Sequence, residues 1–175
     1  MSRPPTRPAD STVPACLDVE ASGFGRDSYP IEVGFVLADG QSYCTLIQPA
    51  QGWTHWDPAA ERLHGISQES MRRHGRSVAT VAAQLNRQLQ GLTLYCDGWA
   101  HDYAWLNKLF DAADLVPAFR LDSLRVRLDE AEADRWHGMK QQVAGEMQFG
   151  RHRASTDAKL LQMTWQRLRG QATTA

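Results

Sequence analysis

A run of apolar residues interrupted by two carboxylates two positions apart leaves few ways to fold. Val13 to Val19 reads as a buried strand with Cys16 and Leu17 inside it, yet Asp18 and Glu20 break its apolar character. Successive side chains of a strand alternate between faces, so Asp18 and Glu20 project from one face, a few ångströms apart. Like charges held that close repel. The simplest way to keep both ionised is a hard divalent cation between them, and oxygen donors suit Mg²⁺ or Mn²⁺. Gly23, just beyond the pair, lets the backbone turn sharply and admits close approach. Asp-x-Glu alone is a weak signal, and its meaning depends on acids supplied from elsewhere in the chain.

The remaining sequence limits what can surround that strand. With 175 residues the chain fits one domain that can bury a core without disulfides or a structural metal. Apolar content of 42% and charged content of 22% are those of an ordinary globular protein. No apolar run approaches membrane length, so no membrane partner is expected. Residues 1–12 are rich in Pro, Ser and Arg and read as a disordered lead-in, with one domain over 13–170 and a tail at 171–175. A cytoplasmic protein is expected. Cys16, Cys44 and Cys96 are odd in number and form no CxxC, which favours buried free thiols over a zinc site. The 19 basic and 20 acidic residues leave a net charge of -1, which excludes a global basic field for coating nucleic acid. Arginines cluster locally at Arg72, Arg73 and Arg76, at Arg120, Arg125 and Arg127, and at Arg151 and Arg153 with Lys159.

Taken in order, the chain alternates its periodicities. Ile31 to Leu37 is a second strand, Asp39-Gly40 is a tight-hairpin signal, and Ser42 to Ile47 pairs back as a third strand. A loop with Trp53, His55 and Trp56 leads to a short helix opened by Asp57-Pro58, and Leu63 to Ser67 reads as a turn. Ser77 caps a helix whose stripe is Val78, Val81, Leu85 and Leu89. Leu92 to Cys96 is a short buried strand, and a helix with Tyr103, Leu106, Leu109 and Phe110 follows. Phe119 to Leu124 offers a fifth strand, and a helix from Leu128 to Ala133 runs into an irregular Gly/Met/Gln stretch. The last helix covers Ala154 to Leu168. The expected architecture is α/β, a mixed five-stranded sheet that begins with an antiparallel meander and is flanked by helices.

Three further acids have a context. Asp102 opens a helix just past a buried strand, Asp157 lies in the first turn of the last helix, and Asp97 stands at a strand end. Strand ends and helix N-termini gather at one edge of a sheet, where a shared site is expected. Taken singly, Asp102 and Asp157 are as well explained by helix capping, and His152 by an ordinary surface histidine.

Taken together, Asp18-x-Glu20, Asp102 followed by Trp105-Leu106, and His152-x4-Asp157 resemble the histidine-bearing branch of the DEDD superfamily of 3′ to 5′ exonucleases. Ribonuclease T and the proofreading subunit of the bacterial replicative polymerase belong to that branch. Leu63-His64-Gly65-Ile66 and Leu121-Asp122-Ser123-Leu124 match turns of its members, and the resemblance runs from about Val13 to Leu168. One departure stands out. The family frequently has His-Asn ahead of the second-motif Asp, where this chain has Asp97-Gly98.

The resemblance implies a ribonuclease H-like fold and two-metal phosphodiester hydrolysis. Asp18, Glu20, Asp102 and Asp157 would hold two Mg²⁺ or Mn²⁺ ions, about 4 Å apart, with Asp18 bridging. His152 would take the proton of the attacking water, a role suited to a side chain that titrates near neutrality. Gly23, Phe24 and His64 would contact the terminal nucleotide, and the partner would be nucleic acid with a free 3′ end, DNA or RNA. The product would be a nucleoside 5′-monophosphate. Trp53, Trp56 and Trp99 are further candidate stacking platforms, and Trp105 is expected in the core. Family members are often dimers, so a homodimer is one expectation. Two other readings compete: a catalytically silent module of the same fold that binds nucleic acid or a partner, and an endonuclease of the same fold.

Overall fold

The computed structural model describes residues 12–147 and 152–172. Residues 1–11 of the expected lead-in, 173–175 of the expected tail, and Arg151 lie outside the described residues. Three strands form the antiparallel meander: β1 (Ala15–Ala21), β2 (Pro30–Val36) and β3 (Ser42–Leu46). The hairpin between β2 and β3 closes at Asp39-Gly40, where Gly40 adopts φ 87°, a left-handed conformation favoured by glycine. β4 (Thr93–Cys96) lies parallel to β1, and β5 (Arg120–Ser123) lies parallel to β4. The sheet order is β3-β2-β1-β4-β5.

Helices follow where side chains can satisfy their first amides. Asp57 accepts from the Ala59 amide to open α1 (Pro58–His64), which ends at Gly65 with φ 69°. Leu63 and His64, read from the sequence as a turn, therefore form the last residues of a helix. Ser67 caps α2 (Gln68–His74), and Ser77 caps α3 (Val78–Leu89). α4 (Trp99–Ala112) starts directly after β4. The stretch read as irregular beyond Ala133 is instead α5 (Glu130–Glu146). Its start is fixed by a reciprocal capping box between Asp129 and Glu132, and Met139 and Val143, four residues apart, are buried. α6 (Ala154–Ala172) completes the fold.

The alternation of β1 divides the core in two. Leu17 and Val19 join Val33 and Phe35 against Val81, Leu85 and Leu89 of α3 and Leu106, Leu109 and Phe110 of α4. Cys16, on the opposite face, packs with Val36 against Ala158, Leu161 and Trp165 of α6. Asp18 and Glu20 share the face of Cys16, so the helix that covers that face is the one that carries Asp157. α6 comes unusually close to the sheet. A Cβ on Gly34 of β2 would lie 2.6 Å from the Ala154 carbonyl carbon, so only glycine admits the approach.

An ion pair with a fully buried carboxylate and a half-exposed guanidinium fixes the start of α6. Glu32, fully buried in β2 and paired across the ladder with Glu20, accepts from Arg153 Nε at 3.0 Å and from the Ala154 amide at 2.9 Å. Arg153 of the basic cluster is thereby engaged within the protein.

Candidate active site

The parallel register pairs Ala15 with Leu94 and Cys16 with Tyr95, and β4 ends one residue later at Cys96. β1 runs on past that end, so its second half has no strand neighbour on that side. A cleft of about 440 Å³ opens there, at the carboxyl ends of β1 and β4. Asp18, Glu20, Gly23, Phe24, His64, Asp102, His152 and Asp157 all line it. These eight candidates, from β1, the loop after it, α1, α4, the turn before α6 and α6 itself, therefore border one cavity. A larger cavity, about 850 Å³, lies along β5 and is lined by Tyr95, Tyr103, Arg127 and Asp129 among others. It shares no lining residue with the acid cleft, and its charged lining residues, Arg120, Asp122, Arg127 and Asp129, are of mixed sign.

Asp18, Glu20 and Asp157 are half-buried, and each offers one oxygen within 4.8 Å of the others. Asp102, in the first turn of α4, is 4% exposed, and its Oδ2 has no hydrogen-bond partner among the described residues. Such a group is costly to leave unsatisfied. The local electrostatics follow from this crowding. Burial, then the charges of Asp102, Glu20 and Asp157, hold the Asp18 carboxyl well above its ordinary range. Burial and the Asp157 charge push Glu20 up to about 7. Burial likewise raises Asp102 to about 7, against hydrogen bonds from the Cys96 thiol and the Val19 amide. An all-oxygen set that repels itself when ionised fits a hard divalent cation, so the residues present are compatible with Mg²⁺ or Mn²⁺.

A stability prediction arises from these directions. Above their ordinary values of 4.5 and 3.8, Glu20 and Asp102 of the unfolded chain lose their protons, whereas the folded chain keeps them up to about 7. The folded state then binds more protons, so its stability falls as pH rises through this window. In chelator, the melting temperature is expected to drop by about 5 °C or more between about pH 5 and about pH 8, and Mn²⁺ should remove most of the drop. A flat or rising profile in chelator, read by scanning fluorimetry, would contradict the electrostatic description.

The nonacidic residues divide by element. Gly23 has φ 148°, and a Cβ there would lie 2.7 Å from Asp57 Cβ and from His55 Cε1, so the loop ahead of α1 seats against it. Phe24 is 64% exposed, with its ring 5.4 Å from His101 and 6.0 Å from Trp105. His101 in turn stacks on Trp105 at 5.6 Å. The loop that carries Phe24 is held by Lys108 Nζ, which donates to the Ser28 carbonyl at 2.7 Å. His64 is buried, and its Nδ1 accepts from the Ile66 amide at 3.0 Å. Because Nδ1 accepts that amide, the imidazole proton is assigned to Nε2, and burial lowers the pKa of the ring. His152 adopts φ 64°, uncommon outside glycine, in the turn immediately before α6.

The structure adds residues that sequence reasoning missed. Lys140 of α5 lines the cleft and pairs with Asp97, and His101 and Trp105 form its aromatic wall. Trp105, expected in the core, does pack on it but also borders the cleft and donates to Ser28 Oγ at 2.8 Å. Trp53 stacks on Tyr29, Trp56 donates to Glu61 and meets His64 edge-on, and neither tryptophan lines the cleft. Trp99 stacks on Tyr103 and does not line the cleft. A capping pair at positions 129 and 132 was the one available signal for α5, and nothing local could have placed Lys140 beside Asp97.

No protein-family model matches this sequence, and no curated protein does. The fold does match solved structures. A zinc-bound form of the E. coli exonuclease I complex with single-stranded DNA superposes with TM-score 0.72 at 13% identity, over 91% of this chain and 41% of that one. Exonuclease I from Methylocaldum szegediense gives 0.66 at 13% identity, over 91% and 41%. E. coli exonuclease I with a dA16 oligonucleotide gives 0.66 at 15%, over 91% and 42%. At these identities the likeness establishes the ribonuclease H-like fold, and the chain spans about two fifths of the length of these structures.

Proposed function

We propose that this chain is a metal-dependent 3′ to 5′ exonuclease acting on single-stranded or frayed ends of DNA or RNA and releasing nucleoside 5′-monophosphates. The observation that carries the reading is the convergence of Asp18, Glu20, Asp102, Asp157 and His152 on one cleft. Four carboxylates from β1, α4 and α6, three elements far apart in sequence, are difficult to explain as helix caps when they face one another at a raised energetic cost. The fold shared with exonuclease I supports the same reading.

Asp18, Glu20 and Asp157 would hold Mg²⁺ or Mn²⁺ through their clustered oxygens, and Asp102 would add its unpartnered Oδ2. When bound, divalent ions supply stabilisation of charge developing on the phosphate and a more acidic attacking water. His152 would accept the proton of that water at an imidazole nitrogen. The exposed ring of Phe24, backed by His101 and Trp105, would stack on the terminal base, an interaction worth about 1–3 kcal/mol. Gly23 lets that loop approach closely, and His64, held at Nδ1, would offer its Nε2 proton to the terminal nucleotide. A nucleic-acid end carries its own negative charge into this cleft, so acids neutralised by cations are a precondition for binding.

The test is the requirement for an end. With Mn²⁺, the protein is expected to shorten a 5′-labelled single strand from its 3′ terminus and to leave circular single-stranded DNA intact. Cleavage of the circle would favour an endonuclease, and no cleavage of DNA or RNA would overturn the enzyme reading.

A further inference from the structure

The loop that carries Phe24 is tied down at its neck and along its far side. The neck closes between Ser22 and Tyr29: the Ser22 amide donates to the Tyr29 carbonyl at 2.9 Å, and the Tyr29 amide donates back to Ser22 Oγ at 3.1 Å. The far side is tied to α4. Trp105 Nε1 donates to Ser28 Oγ at 2.8 Å, and Ser28 Oγ donates in turn to the Gly25 carbonyl at 2.6 Å. Lys108 Nζ faces three successive carbonyls, those of Ser28 at 2.7 Å, Asp27 at 3.3 Å and Arg26 at 3.5 Å, which matches the three N–H donors of an ammonium. His101, Trp105 and Lys108 are spaced four and three residues apart, so they form one stripe along α4. That stripe meets the loop along its length: His101 adjoins the Phe24 ring, Trp105 adjoins the ring and Ser28, and Lys108 holds the backbone.

We propose that Trp105 and Lys108 are positioning residues for substrate binding: they fix the Phe24 loop to α4, so that the ring stands in its base-stacking place before a nucleic-acid end arrives. The inference rests on reading Phe24 as the stacking platform of an exonuclease. Asp102 lies on the same helix, three residues before Trp105, so the tether also fixes the platform relative to the acids. A loop that must be ordered on binding costs affinity, whereas one already in place does not. The tether therefore acts on substrate affinity and leaves the chemical step to the acids. The acceptors facing Lys108 are neutral carbonyls, so removing its ammonium strands no carboxylate.

A double-mutant cycle on KM and kcat tests this, using the full chain, Mn²⁺ and a 5′-labelled single-stranded oligonucleotide, with circular dichroism to check folding. Phe24→Ala is expected to raise KM by about tenfold, within the range for loss of one base stack. Lys108→Met should raise KM by about fivefold and leave kcat within about twofold of wild type, and Lys108→Arg, which still donates to the carbonyls, should recover most of that loss. In the Phe24→Ala background Lys108→Met should add less than about twofold, because it acts through a ring that is no longer there. Trp105→Phe, which keeps a ring and removes the Nε1 donor, should follow the same pattern and carries the cycle if Lys108→Met does not fold. An unchanged KM, a loss confined to kcat, or an effect that multiplies undiminished with that of Phe24→Ala would overturn the positioning role and leave the exonuclease reading standing. A wild type that does not shorten the oligonucleotide would overturn both.

Discussion

Asp18→Asn is expected to reduce exonuclease turnover by about a thousandfold or more, and at the same time to make the metal-free protein more stable. The two effects share one cause. Asp18 is close enough to Asp102, Glu20 and Asp157 for each to raise its pKa, and the proposed function makes it a cation ligand. An amide is a poor ligand for a hard cation, so the site loses occupancy and the charge stabilisation that depends on it. Without metal, the same substitution removes a carboxylate whose ionised form is penalised by burial and repulsion. The melting temperature in chelator should therefore rise by a few degrees at about pH 8, and the stabilisation on adding Mn²⁺ should disappear. Digestion of end-labelled oligonucleotide and scanning fluorimetry measure the pair. A variant that loses both activity and stability would instead mark Asp18 as a structural residue.

Arg153→Ala is the largest expected effect on stability. It leaves Glu32 fully buried without its charge partner, with the Ala154 amide and the Cys44 thiol still beside it, and removing one partner of a buried ion pair costs about 3–5 kcal/mol. For a chain of this length that corresponds to about 6–20 °C in melting temperature. Arg153 itself is half exposed, so the opposite change, Glu32→Gln, should cost less. The consequence for function is positional. Arg153 lies between His152 and the start of α6, and the pair ties that start to β2 opposite Glu20. Activity should fall further than the loss of folded protein explains, measured at a temperature where both variants remain folded by circular dichroism. Arg153→Lys restores the charge without the two-pronged geometry and should recover only part of either effect.

The two substitutions also separate what local sequence could convey from what it could not. The meander was legible because strand periodicity and the Asp39-Gly40 turn are local signals, and β1, β2 and β3 begin and end within about two residues of their sequence-based bounds. Asp102 and Asp157 were readable as residues of helical first turns, the positions that the sheet edge gathers together. α5 was not readable in full. Its Gly138 and sparse apolar residues give a weak periodic pattern, and its buried positions make sense only once Leu160 and Leu168 of α6 are packed against them. Lys140 went unnoticed for that reason. Glu32 read as one more residue of a strand, because a carboxylate that accepts from a residue 121 positions away has no local signature. His101 and Trp105 were similarly hidden: their spacing suits a core stripe, and only the loop that carries Phe24 turns that face into a cleft wall.

The account stands on three carboxylates from β1 and α6 forming a common cation site. Diffraction from crystals soaked in Mn²⁺, collected at a wavelength where manganese scatters anomalously, tests this most directly. The prediction is a strong anomalous peak among the oxygens of Asp18, Glu20 and Asp157. A map with no peak there, or with manganese only on surface carboxylates outside the cleft, would contradict it.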